Sequence, residues 1–306
     1  MAISAVMVKM LRDKTGAGML DCKSALEETT GNMDEAEKIL RKKGLAAAAK
    51  KAGRVAAEGL VGYHVEPAMA ALVELNSETD FVARTDAFGK ARHSLAELVF
   101  HTASFGDSVD GNVEKLKALP APKHFPYAAG TVGESLQAFT AETGENTQLR
   151  RFARLVAGTG AKLALYAHPG DKTVVIIETA GCDEALARDL AMHVAALSPQ
   201  FASRELVSAK ALADEKEIAR AKAIAAGKPE NVVEKMVEGM IGKWYAEVVL
   251  VDQPFAKDDS KKVSQVIAER GGKDARVVRF VRYKVGEGIE KKGGDDFAAQ
   301  VAALVK

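Results

Sequence analysis

The sequence predicts an α+β protein built from several modules, and three observations carry that reading. Two pairs of strand-like apolar runs occur, 55–65 with 69–75 and 163–168 with 173–178, each joined across turn residues. A helical pattern follows each pair, over about 80–100 and 183–196. Helix-period segments stand apart from these units at 1–54 and 203–245. Two related subdomains, each an antiparallel sheet covered by helices, are the simplest arrangement of such a pattern.

Composition sets the outer bounds. With 306 residues the chain has room for two or three compact units with real cores. Hydrophobic residues at 47% and charged residues at 28% are ordinary for a globular protein. A net charge of +1 supplies no whole-protein field toward nucleic acid or membrane. No apolar run approaches the ~20 residues that span a bilayer, and no secretory core follows the N-terminus, so a cytoplasmic location is expected. Cys22 and Cys182 lie in different segments, which argues against a structural disulfide.

Residues 1–54 read as a helical domain. Ile3, Val6, Met7, Met10 and Leu11 share one helix face. A second helix begins near Met19 and carries Cys22, Ala25 and Leu26. Asn32 with Glu35 has the form of a capping box opening a third helix, which Gly44 is expected to end. A basic, Ala-rich linker follows to Arg54. Its lysines read as a solvated face in preference to a phosphate contact, since no aromatic stands between the charges.

Residues 55–140 are assigned to a first α/β unit, with one short helix over 112–119. Residues 141–202 and 246–283 are assigned to a second, including strands 247–251 and 275–281 and a helix over about 260–269. Between its halves, 203–245 reads as a protruding antiparallel coiled-coil hairpin turned at Gly227-Lys228-Pro229. Its expected seam is Val233, Met236, Val237, Met240 and Trp244 against Leu212, Ile218 and Ile224. A C-terminal module, 284–306, carries an amphipathic helix over 295–305.

No catalytic constellation emerges. A phosphate-cradling G-x-x-x-x-G-K-[ST] run is absent from the sequence, and the glycine turns at 158–161 and 285–288 lack dinucleotide-site context. The six histidines show no metal spacing. His193 reads as a hydrogen-bonded structural residue, and Cys22 as a core thiol. Neither enzyme chemistry nor a cofactor is expected, which leaves a protein that acts by binding another protein, against an enzyme with an unrecognised site.

The stretch Asn76-Ser77-Glu78-Thr79-Asp80-Phe81-Val82-Ala83-Arg84 turns a strand into a helix. Thr79 or Ser77 suits a helix N-cap, with acidic residues placed for the helix dipole. Phe81 falls in the first turn, where it packs inward or stands out as a wedge. On the residues alone the inward reading is favoured, because isolated aromatics usually join a core.

Thr79-Asp80-Phe81-Val82-Ala83-Arg84 resembles the T-D-F-V-A-[KR] signature of the bacterial elongation factor Ts family. Thr15-Gly16-Ala17-Gly18-Met19-Leu20-Asp21-Cys22-Lys23 resembles its N-terminal motif, and segments at 191–196, 234–239, 253–255 and 285–290 match later ones in order. The resemblance runs nearly end to end and is weakest over about 100–140. It implies a ubiquitin-associated-type bundle at 1–54 and a guanine nucleotide exchange factor for the GTPase elongation factor Tu. It also implies that Thr79, Asp80, Phe81 and Val82 displace Mg²⁺ from the GTPase, with Phe81 exposed as the intruding ring. Arg12, Met19, Leu20 and Lys23 match positions that grip a helix of the GTPase domain, with Leu20 replacing a second Met. His168 matches a contact histidine in the second subdomain, and Phe297 and Val301 are further candidates on the last helix. After Gln253-Pro254-Phe255 some relatives carry two apolar residues; here Ala256 and Lys257 stand there, which puts an apolar contact in doubt. No direct contact of the chain with nucleotide, nucleic acid or membrane is implied. Some relatives bind as dimers of heterodimers, and the resemblance leaves stoichiometry open. The alternative is a fold-related interaction module with another partner.

Overall fold

The computed structural model describes residues 3–15, 17–227 and 229–290. They divide into two compact units: 3–64, 71–155 and 283–290 form the first, and 65–70 with 156–282 form the second. The architecture is α+β with antiparallel pairing. Among the described residues no helix is long and apolar enough to cross a membrane.

The first unit opens with three helices, α1 (Ala5–Thr15), α2 (Met19–Glu28) and α3 (Met33–Lys51). They close over Val8, Leu11, Cys22, Ala25, Leu26, Ala36 and Leu40. Two expectations change here. Val8 lies inside, while Val6 and Met10 are 66% and 58% exposed, so the buried face of α1 is rotated from the one expected. Gly44 does not end α3, which continues to Lys51. Packing explains its presence: a Cβ at Gly44 would stand 3.3 Å from the Cβ of Ala141 on α7 (Val132–Thr143). Close helix contact thus retains a residue that costs ~1 kcal/mol in helix propensity.

The first sheet has the order β1-β2-β3, with β1 (Glu58–Glu66), β2 (Met69–Ser77) and β3 (Gln148–Val156). A one-turn helix α4 (Asp80–Ala83) separates β2 from α5 (Asp86–His101). Of the face expected for α5, Phe88, Ala91, Leu95 and Val99 are buried and Leu98 is half-buried. Helix and sheet meet backbone to backbone at Gly62, where a Cβ would lie 2.3 Å from the Arg92 carbonyl oxygen. Beyond α6 (Val113–Lys117), α7 begins with a full capping box of Thr131 and Glu134. The sequence reading had no helix at α7. It also placed 141 onward in the second unit, whereas β3 completes the first sheet.

A buried carboxylate locks this sheet. Glu74 on β2 is fully buried and accepts from Arg150 Nη1 at 2.9 Å, Arg151 Nε at 2.5 Å and the Gly286 N–H at 2.9 Å. A charge this deep persists only when paired and hydrogen-bonded.

The second unit repeats the pattern. Strand β4 (Ala161–Ala167) pairs antiparallel with β5 (Thr173–Ala180), from Ala161↔Ala180 to Ala167↔Val174. β8 (Arg276–Lys284) flanks β5. The helix α8 (Glu184–Leu197) covers the sheet through Leu186, Leu190 and Val194. Here too the central strand carries a buried carboxylate: Glu178 accepts from Arg279 Nε and from the Gly158 N–H, both at 2.7 Å.

The coiled-coil hairpin is α9 (Ala209–Ala225) and α10 (Glu230–Val248). Its seam is Ala219 and Ala223 against Val233, Val237 and Ile241. Ile218 and Ile224, expected in the seam, are 47% and 61% exposed, because the small alanines let the helices approach on the neighbouring stripe. Trp244, also expected there, is only half-buried and leans on Tyr245. The strand expected over 247–251 does not form. Helix α10 runs through Val248, and Val249 makes a single parallel bridge with Phe201, so these valines bury without a strand partner to extend the ladder. Strands β6 (Pro254–Phe255) and β7 (Asp258–Lys262) then lead into α11 (Val263–Arg270). The helix expected over 295–305, with Phe297 and Val301, lies outside the described residues.

Candidate protein-binding site

The corner between β2 and α5 displays a large apolar side chain to solvent. Phe81 is 79% exposed, against the inward reading that isolated aromatics favour. Helix geometry explains the direction. Ala83 of α4 is buried, and two helical steps rotate a side chain by ~200°, so Phe81 emerges on the opposite side.

Polar contacts on both flanks hold the corner. Thr79 occupies the N-cap position of α4 but makes no capping hydrogen bond with its side chain. Its hydroxyl donates instead to Glu145 Oε1 at 2.6 Å, and its N–H donates to Glu145 Oε2 at 3.0 Å. Ser77 Oγ donates to the Thr79 carbonyl at 2.8 Å. Glu78 accepts from the Asn146 N–H at 2.6 Å. Asp80 pairs with Arg84 at 2.6 Å across one exposed helical turn. The longer helix has its own start: Thr85 caps α5 by accepting from the Phe88 N–H at 3.2 Å. The acidic residues at the corner are therefore occupied with backbone and cation partners, and no pair of them is arranged for proton transfer.

The remaining candidates lie on other elements. On the N-terminal bundle Met19 and Leu20, at the start of α2, are 46% and 83% exposed, and Arg12 and Lys23 also face solvent. Lys23 stands 3.7 Å from Glu27 on the same helix. Val6 and Met10 add exposed apolar surface to this bundle that the sequence reading had placed inside. In the second unit His168 sits exposed at the end of β4, with Nδ1 3.1 Å from the Tyr166 hydroxyl. Its backbone N–H closes the β4–β5 hairpin on the Thr173 carbonyl at 2.9 Å.

Three other sequence candidates resolve as structural. Cys22 is buried, and burial pushes its thiol up, away from a reactive thiolate. His193 is buried and stacked on Phe255 at 5.8 Å. The Ala256 N–H donates to its Nδ1 at 3.0 Å, so Nε2 carries the proton and donates to Gln253 Oε1 at 2.9 Å. At the departure after Phe255, Lys257 pairs with Asp189 at 2.5 Å and so turns toward its own unit. In the first unit a cavity of about 430 Å³ lies among α1, α3 and α7. Two ion pairs line it, Lys14 with Glu37 at 2.6 Å and Arg41 with Glu134 at 2.9 Å. Among the described residues no cluster of three or more His, Cys, Asp or Glu is arranged for a metal ion.

Glu145 and Asn146 were missed as site residues. The sequence showed them only as the start of a segment after Gly144, and the contacts that matter span 66 and 68 residues.

The α+β frame thus presents an exposed apolar ring on a corner held by polar contacts. The sequence profile described as Elongation factor TS matches residues 78–287. The chain is 46% identical to Elongation factor Ts of Syntrophotalea carbinolica over the whole of both chains. It is 47% identical to that of a Methylobacterium species and 43% to that of Lactiplantibacillus plantarum, each with 99% of both chains covered. The chain belongs to the elongation factor Ts family.

Proposed function

We propose that the chain is a guanine nucleotide exchange factor for elongation factor Tu in the cytoplasm, and that the Thr79–Val82 corner drives GDP release. The observation that carries this is the 79% exposure of Phe81 on a corner held by Glu145 and Asn146. A GTPase holds GDP through a phosphate cradle and Mg²⁺. A factor that speeds release must bind the nucleotide-free GTPase more tightly than the GDP form. By reciprocity GDP weakens the factor's own binding by the same ratio. Each tenfold of that ratio takes ~1.4 kcal/mol of differential contact. An apolar ring supplies it by entering a space that opens only when the Mg²⁺ site is disturbed, with Asp80 and Val82 beside it.

The exposed residues of α2, with Arg12 and Lys23, give a second contact on the GTPase domain, and His168 gives a third from the second unit. Phe297 and Val301, which lie outside the described residues, are proposed as further contacts. The factor carries no nucleotide or cofactor itself.

The test is stopped-flow release of a fluorescent GDP from elongation factor Tu at substoichiometric factor, over a range of Mg²⁺. Multiple turnovers per factor, with the acceleration shrinking as Mg²⁺ rises, are expected. Absence of acceleration at every Mg²⁺ concentration would leave an interaction module for a different partner.

A further inference from the structure

The turn between α7 and β3 does more than join a helix to a strand. Gly144 ends α7 in the left-handed region, at φ 77°, and reverses the chain so that Glu145 and Asn146 meet the corner. Glu145 takes both donors of Thr79, the N–H at 3.0 Å and the hydroxyl at 2.6 Å. Asn146 is 3% exposed and works in two directions. Its N–H donates to Glu78 at 2.6 Å, and its side-chain amide donates to the carbonyls of Arg54 at 2.7 Å and Ala52 at 3.3 Å. Arg54 itself stands 3.5 Å from Glu78. Gln148 adds a bond to the Ala52 carbonyl at 3.1 Å. One short turn thus grips the residues just before Phe81 and, on its other side, the linker by which the chain leaves the N-terminal helices.

We propose that Glu145 and Asn146 are positioning residues for nucleotide exchange, a latch that holds the Phe81 corner in fixed register with that linker. The proposal rests on the exchange reading above. A four-residue helix is too short to sustain its own geometry. A ring that is largely exposed gains little from its own protein, so its direction is set by the backbone that carries it. Charge-assisted hydrogen bonds to a carboxylate are the strong kind available for that task. When only a fraction of molecules hold the competent corner, apparent affinity falls by that fraction. Fixing the linker with the same turn also gives the exposed face of α2 and the corner a constant spacing.

The experiment compares full-length wild type, Glu145→Ala, Glu145→Gln, Phe81→Ala and the double variant Glu145→Ala/Phe81→Ala in GDP release from elongation factor Tu. Glu145→Ala is expected to slow exchange roughly tenfold, the order for losing a hydrogen-bonded carboxylate. Glu145→Gln, which keeps an acceptor oxygen, is expected to recover much of the rate. In the Phe81→Ala background Glu145→Ala is expected to add no further loss, because it acts through the ring. Amide hydrogen exchange over 79–84 should quicken in Glu145→Ala, while the β4–β5 hairpin stays unchanged. Full activity of Glu145→Ala beside an impaired Phe81→Ala overturns the latch and spares the exchange reading. Losses that multiply in the double variant overturn it in favour of general destabilisation. No acceleration by wild type, or none lost in Phe81→Ala, removes the reading and the latch together.

Discussion

Replacing Phe81 by alanine separates the two roles that a large apolar residue can have. The ring is 79% exposed, so about a fifth of its burial is within its own protein. Full burial of a phenylalanine side chain is worth ~1.5–3 kcal/mol, so the isolated chain loses only ~0.3–0.6 kcal/mol. For a chain of this size that lowers the thermal midpoint by about 0.5–1 °C. If the ring is buried in the partner at the step that releases GDP, the remaining four-fifths, ~1.2–2.4 kcal/mol, is lost there relative to the free factor. That corresponds to a fall of roughly 8–60-fold in the specificity constant for exchange. The assay pairs stopped-flow GDP release at several factor concentrations with thermal unfolding of the free variant. The factor by which GDP weakens the factor's binding should also shrink in Phe81→Ala, since the two affinities are reciprocally coupled. A core ring behaves differently: its truncation costs ~3–5 kcal/mol and the midpoint falls well beyond a few degrees. A large drop in the midpoint, or exchange at the wild-type rate, refutes the reasoning.

Two further predictions concern the frame. Burial holds the His193 imidazole below its ordinary value, against the pull of its bond to Gln253. The unfolded chain therefore takes up a proton that the folded chain refuses, and stability is lost as pH falls below about 6.5, with a slope of at most ~1.4 kcal/mol per unit. Urea unfolding between pH 7 and 5 should show that slope reduced in His193→Gln; identical profiles would remove His193 as its source. Glu74→Ala should lower the stability of the first unit by about 3 kcal/mol or more, because Arg150 and Arg151 are left facing each other without their shared carboxylate. A loss below ~1 kcal/mol in urea unfolding would mean that the arginines find water instead.

What was legible in the sequence was local. The β4–β5 hairpin, α8 and the two arms of the coiled coil each announce themselves through period and turn residues within a short window. Even α7 had a signal that went unused: Thr131 and Glu134 form a capping box, Leu136 and Phe139 lie inward, and Gly144 ends the helix. The misreadings came from non-local causes. Gly44 looked like a stop because the reason for it, Ala141, is a distant residue of another helix. β3 looked like the start of a second unit because its sheet partners precede it by a whole helical layer. On α9 the alanines, which carry the weaker hydrophobic signal, won the seam from the isoleucines by allowing closer approach.

Phe81 marks a different kind of failure. Burial statistics for aromatics are correct on average, and a ring that serves a partner, as proposed for Phe81, is where they are expected to break. Breaking them has a structural consequence. A buried side chain is oriented by its neighbours' packing, but an exposed ring has few neighbours, so its direction must be imposed through the backbone on either side. Here that falls to Ala83, which anchors α4 from within, and to the bonds that Thr79 and Glu78 make to Glu145 and Asn146. These polar contacts add little to the hydrophobic core, yet they decide where this exposed aromatic ring points. On the proposed function, an exposed ring paired with a half-buried polar brace is what lets the corner act as a wedge, and either half without the other would leave a surface that binds weakly or an anchor with nothing to present.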